Sequence, residues 1–66
     1  MQLILNGAPQ AVPDGTTVAD LLAIMSLAGK RVAVERNGEI VPRSQHPQSV
    51  LVDGDRLEIV VAVGGG

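Results

Sequence analysis

The sequence has 66 residues, 45% of them apolar, and a net charge of −2. It is one domain at most, and too apolar for a disordered segment of low hydrophobicity. It holds no cysteine, one histidine and no aromatic residue, which excludes disulfides, thiolate or multi-histidine metal sites, a cysteine nucleophile and aromatic platforms for stacking bases.

Met1 to Leu5 reads as a strand, with Met1, Leu3 and Leu5 on one face and Gln2 and Ile4 on the other. Asn6-Gly7 signals a hairpin, because both residues tolerate positive φ; Pro9 argues for a connection longer than two residues. Ala11-Val12 reads as a short return strand ending at Pro13, and Asp14-Gly15 as a turn. A helix is predicted from Val18 to Leu27. Thr17 is its N-cap, Asp20 sits three residues on, and Val18, Leu21, Leu22 and Met25 form one apolar stripe. Gly29 is the residue expected to end it.

Val32 to Glu35 returns to strand character, and Asn37-Gly38 joins it to Ile40-Val41 in a second hairpin. Arg36 falls on the side of Val32 and Val34, so it must snorkel or the strand must end earlier. Arg43 to Gln48 reads as a loop or one turn of short helix, and Asp53-Gly54-Asp55 as a turn. The last strand spans Arg56 to Val63 with Leu57, Ile59 and Val61 inward. Strands before and after a single helix predict an α+β fold with one mixed sheet. The expected core packs the helix stripe on Leu3, Leu5, Val32, Val34, Leu57, Ile59 and Val61.

Catalytic residues do not stand out. Ser26, Ser44 and Ser49 are scattered, and His46 has no partner identifiable by spacing. Asp53 and Asp55 can in principle ligate a cation, but the turn reading is preferred, so no bound metal or cofactor is expected. The slight acidity leaves no basic footprint for nucleic acid. No apolar run approaches the ~20 residues that span a bilayer, and Met1-Gln2-Leu3 opens without a signal-peptide core. A cytoplasmic protein with neither nucleic-acid nor membrane partners is expected.

Gly64-Gly65-Gly66 offers three positions without a Cβ. Such an arm fits a narrow site where only backbone passes, and its terminal carboxylate can attack the α-phosphate of ATP. A glycine-rich end also suits an ordinary flexible terminus. The expected division is a domain at 1–63 followed by a flexible glycine tail at 64–66. Ile4, Val60 and Ala62 are expected to face away from the helix as a small partner-docking patch.

Over nearly its whole length the chain resembles the ThiS family of small bacterial sulfur carriers. The matching stretches are Met1-Gln2-Leu3, Asn6-Gly7, Asp14 to Leu22, Val32 to Glu35, Asn37 to Arg43, Val52 to Asp55 and Val63 to Gly66. Ile40-Val41-Pro42-Arg43 with Ser44-Gln45-His46 is the most discriminating. Arg36 departs from the apolar residue usual before Asn37-Gly38. The resemblance implies a β-grasp, ubiquitin-like fold and a protein co-substrate, not an enzyme. It implies that a ThiF-type enzyme adenylates Gly66, so that AMP from ATP is attached there transiently. It also implies that a persulfide donor converts the acyl-adenylate to a thiocarboxylate, and that thiazole synthase (ThiG) receives the sulfur during thiamine biosynthesis. Gly64 and Gly65 would thread the partner. A MoaD-like carrier of another pathway and a plain ubiquitin-like interaction module stay open as alternatives.

Overall fold

The computed structural model describes residues 1–62. Val63 to Gly66, which include the predicted end of the last strand and the predicted tail, lie outside the described residues.

Strand β1 (Gln2–Leu5) turns back into β2 (Ala8–Ala11). Helix α1 (Val18–Ile24) follows, then β3 (Val32–Arg36), β4 (Glu39–Ile40), a 3₁₀ turn at Arg43–Gln45 and β5 (Arg56–Val61). The strands form one sheet in the order β2-β1-β5-β3-β4. β1 and β5 run parallel at its centre, and the other pairs are antiparallel. This is the expected five-stranded mixed β-grasp sheet with one helix on one face. The edges are protected: β4 has two residues and β2 carries Pro9.

The first hairpin corrects one expectation. Leu5 pairs with Ala8, so the connection is two residues long and the return strand starts at Ala8, before Ala11. Asn6 at φ 49° and Gly7 at φ 84° form a left-handed turn of the type that matches strand twist. Pro9 is tolerated because it lies opposite Ile4, one step from the closing pair. There an antiparallel ladder makes no hydrogen bond, so the missing N–H costs nothing.

The helix starts as predicted. The Thr17 hydroxyl accepts from the Asp20 N–H at 3.1 Å, and the Asp20 carboxylate accepts from the Thr17 N–H at 3.1 Å. The next free donors, the Val18 and Ala19 N–H groups, reach the Ser49 and His46 carbonyls at 3.0 Å each. The first turn is therefore satisfied partly by a distant loop. The helix ends at Ile24, three residues short of the expected Leu27, and Gly29 does not end it. Ser26 adopts φ 62° directly after the Met25 cap. The Leu27 N–H then returns to the Leu22 carbonyl at 2.7 Å and the Ser26 N–H to Ala23 at 3.0 Å. These two bonds are a Schellman stop.

The buried cluster is Leu3, Val12, Val18, Leu21, Leu22, Val34, Leu51, Leu57 and Ile59, with Leu5, Met25 and Val32 half-buried against it. Val61 departs from the expectation, being 41% exposed. Its side chain has the inward parity, but a seven-residue helix spans only about 10 Å. The six residues of β5 rise about 20 Å, so the strand outruns its cover. Val12 and Leu51 join the core from outside the predicted set. Leu51 is held by its N–H bond to the Thr16 carbonyl at 2.9 Å.

Candidate functional site

β5 carries the chain to Ala62 and the glycines beyond, so its anchoring defines the platform for any chemistry there. Two asparagines grip it from opposite sides. Asn6 Oδ1 accepts from the Ile59 N–H at 2.8 Å, continuing the bonding past the end of β1. Asn37, in the β3–β4 turn at φ 53°, accepts from the Arg56 N–H at 3.0 Å through Oδ1. Its own N–H donates to the Arg56 carbonyl at 2.8 Å. Both Asn-Gly pairs were legible as turns; their side-chain grip on β5 was not, since nothing local signals it.

Asp55, 5% exposed, is the other anchor. Its Oδ2 accepts from Arg36 Nη2 at 2.7 Å and from the Val52 N–H at 2.9 Å. Its Oδ1 accepts from the Asn37 amide at 3.0 Å. Arg36 therefore neither snorkels nor truncates β3; it stays in the strand and meets a buried carboxylate. Asp53 accepts from the Gln2 N–H at 2.7 Å. Both acids of the Asp53-Gly54-Asp55 turn thus serve the fold, and among the described residues no three potential ligands gather to hold a metal.

Burial opposes the charge on Asp55, but the Val52 N–H, the Asn37 amide and the Arg36 guanidinium outweigh it and hold the carboxyl below its ordinary value. The carboxylate therefore stabilises the fold fully above the unfolded value of ~3.9, and that contribution fades as pH falls through the lower folded value. Asp55→Asn should cost about 1.5–3 kcal/mol at neutral pH, the range for hydrogen bonds to a charged group. Urea unfolding from pH 7 to pH 3 checks this. The gap between parent and variant should narrow as the solution drops below about pH 4.

His46 is buried, its Nε2 lies 3.1 Å from the Val41 carbonyl oxygen, and its own carbonyl takes the Ala19 N–H. It pins the 3₁₀ segment to the helix start. No helix among the described residues is long and apolar enough to cross a membrane.

Gly64, Gly65 and Gly66 lie outside the described residues. Of the predicted docking residues, Ile4 and Val60 share the face of the sheet away from α1, but the structure does not bring them together. Ile4 sits beside Arg56, four positions, or about 13 Å, from Val60 along the strand. Val60, 64% exposed, lies opposite Ala33. Ala62 lies beyond the strand and lines a groove near the end of α1, together with Leu22, Leu27 and Val32.

A family model described as the ThiS family matches residues 3–66. The chain belongs to the ThiS family. It is 47% identical over 53 residues to the sulfur carrier protein ThiS of Bacillus subtilis, with 80% of each chain covered. A crystal structure of the thiamine biosynthesis protein ThiS from Geobacter metallireducens superposes with a TM-score of 0.84 at 35% identity, covering 100% of both chains. The chain is also 46% identical, over all 66 residues, to the thiazole synthase of Paramagnetospirillum magneticum, of which it spans only 20%. A ThiS-like segment thus also occurs within a larger protein of that name.

Proposed function

We propose that this ThiS-family chain carries sulfur as a thiocarboxylate on the carboxyl carbon of Gly66 and delivers it for thiazole formation in thiamine biosynthesis. By family it is a sulfur carrier, a protein co-substrate and not an enzyme. The observation that carries the reading is the family match, which runs through Gly66 and so includes the three glycines. A ThiF-type enzyme activates the group: a carboxylate oxygen of Gly66 attacks the α-phosphorus of ATP and pyrophosphate leaves. The terminal sulfur of a persulfide donor then attacks the acyl carbon and AMP departs. A thiol cleaves the resulting S–S bond and frees the thiocarboxylate, itself becoming oxidised to a disulfide. Thiazole synthase (ThiG) is the proposed acceptor, a role supported by the ThiS-like segment within a thiazole synthase.

The described domain supplies a rigid handle for this chemistry and no reacting side chain. Mass spectrometry of the chain after incubation with ATP, the adenylating enzyme and a persulfide donor tests the proposal. One oxygen-to-sulfur exchange at Gly66 is expected. Sulfur at another residue, or no exchange with an enzyme active on its own carrier, overturns it.

Docking is proposed to use Val60 on the open sheet face, with Ala62, at the groove near the end of α1, and Ile4 as outlying contacts. Val60→Asp should weaken binding to the adenylating enzyme about tenfold or more, because the new charge must be desolvated against the partner. The exposure of Val60 means that the melting temperature should hold. Titration calorimetry with a parallel thermal melt checks both.

A further inference from the structure

The groove at the end of α1 has a composition at odds with the rest of the molecule. It encloses about 390 Å³, its floor includes Leu22, Leu27 and Val32, and its rim carries Lys30, Arg31 and Arg43. The sequence has only five lysines and arginines against seven acids, yet three of the five line this one groove and no Asp or Glu does. All three are exposed. Among the described residues none of them forms an ion pair; the single Arg–carboxylate pair is Arg36 with Asp55.

Local structure builds this concentration. The Schellman stop at Ser26 turns the chain away from the helix axis and sends residues 27–31 across the end of α1 toward β3. The 3₁₀ turn brings Arg43 to the opposite wall, fixed there by buried His46. Ala62, the last described residue, and Ala33, the register partner of Val60, also line the groove. It therefore opens where the chain leaves β5 for the glycines.

We propose that this groove receives an acidic segment of the adenylating enzyme, one that places an apolar side chain on the Leu22–Leu27 floor and carboxylates against Lys30, Arg31 and Arg43. The proposal rests on the sulfur-carrier reading. Charge complementarity selects the occupant: a basic rim on a net acidic protein repels basic surfaces locally and steers acidic ones. The contact orients the carrier as its last residues enter the partner.

The test is calorimetric binding of the full chain and of the double variant Lys30→Glu, Arg31→Glu to the purified adenylating enzyme at low and high salt. The parent should bind more weakly as salt rises. The double variant should bind about tenfold or more weakly at low salt, with little salt dependence. Arg43→Gln should shift affinity the same way by a smaller factor. Thermal melts of all variants should match the parent, because these side chains are exposed. Unchanged affinity and salt slope in the double variant overturn the proposal, as does an effect confined to thiazole synthase. Amide shifts at residues 28–31 on removing residues 63–66 from the free chain would assign the groove to the chain's own end and also overturn it. Conversion of the parent to the thiocarboxylate is followed in parallel. Failure there removes the carrier reading itself, whereas normal conversion with unchanged binding of the variant removes only the groove.

Discussion

Deleting Gly66 from the 66-residue chain should abolish thiocarboxylate formation while leaving the melting temperature unchanged. The deletion shortens the reach of the terminal carboxylate by about 3.3–3.6 Å. In-line attack on the α-phosphorus tolerates no such displacement, since reacting atoms must approach to about 3–3.5 Å. Stability should hold because, among the described residues, the buried cluster runs from Leu3 to Ile59. Gly65→Ala should fail for a different reason, a Cβ placed in a passage shaped for backbone. Mass spectrometry after incubation with ATP, adenylating enzyme and persulfide donor reads both variants. Efficient sulfur transfer onto the shortened chain would show that the position of the carboxylate is not what the partner measures.

Leu21→Ala should cost about 2–5 kcal/mol, the range for truncating a buried leucine. Leu21 is fully buried at the middle of α1, the one α-helix among the described residues. A chain of 66 residues carries roughly 3–10 kcal/mol in total at the usual per-residue stability. The variant therefore sits near or beyond the unfolding threshold. A melting temperature lowered by at least about 8 °C is expected. A melt superimposable on the parent's would mean that α1 does not cover the sheet as described.

The elements legible in the sequence were those whose signals are local. The Thr17–Asp20 box, the Val18/Leu21/Leu22 stripe and the two Asn-Gly turns all emerged where expected. What escaped notice depends on residues distant in sequence. Ser26 ends the helix because the chain must turn toward β3, and no propensity marks serine for φ 62°. Leu51 lies in no alternating pattern, and its burial follows from pairing with the segment before the helix. Arg36 did carry a clue, since a cation at an inward position calls for a buried acid. The acid, however, lay 19 residues away in a turn that already had a sufficient local explanation. Likewise, an adjacent Lys30-Arg31 step carries no signal of a site by itself, and only the fold brings Arg43 into the same groove. The docking residues Ile4 and Val60 share a face by parity, which strand alternation conveys, but their separation is set by the β1–β5 register, which it does not.

The parallel pairing of β1 with β5 has a mechanical consequence. A partner that draws the glycines into a narrow passage pulls along the axis of β5. The bonds that hold this strand to β1, including Ile4 N–H to Asp55 and Asn6 N–H to Leu57 at 2.9 and 2.8 Å, lie across that axis. So do the bonds from β3 on its other side. Tension is therefore borne in shear by many bonds at once and cannot peel them open one by one from an end. On the proposed carrier reading, this strand can be tugged, seated and released in each round of transfer without the domain paying out chain.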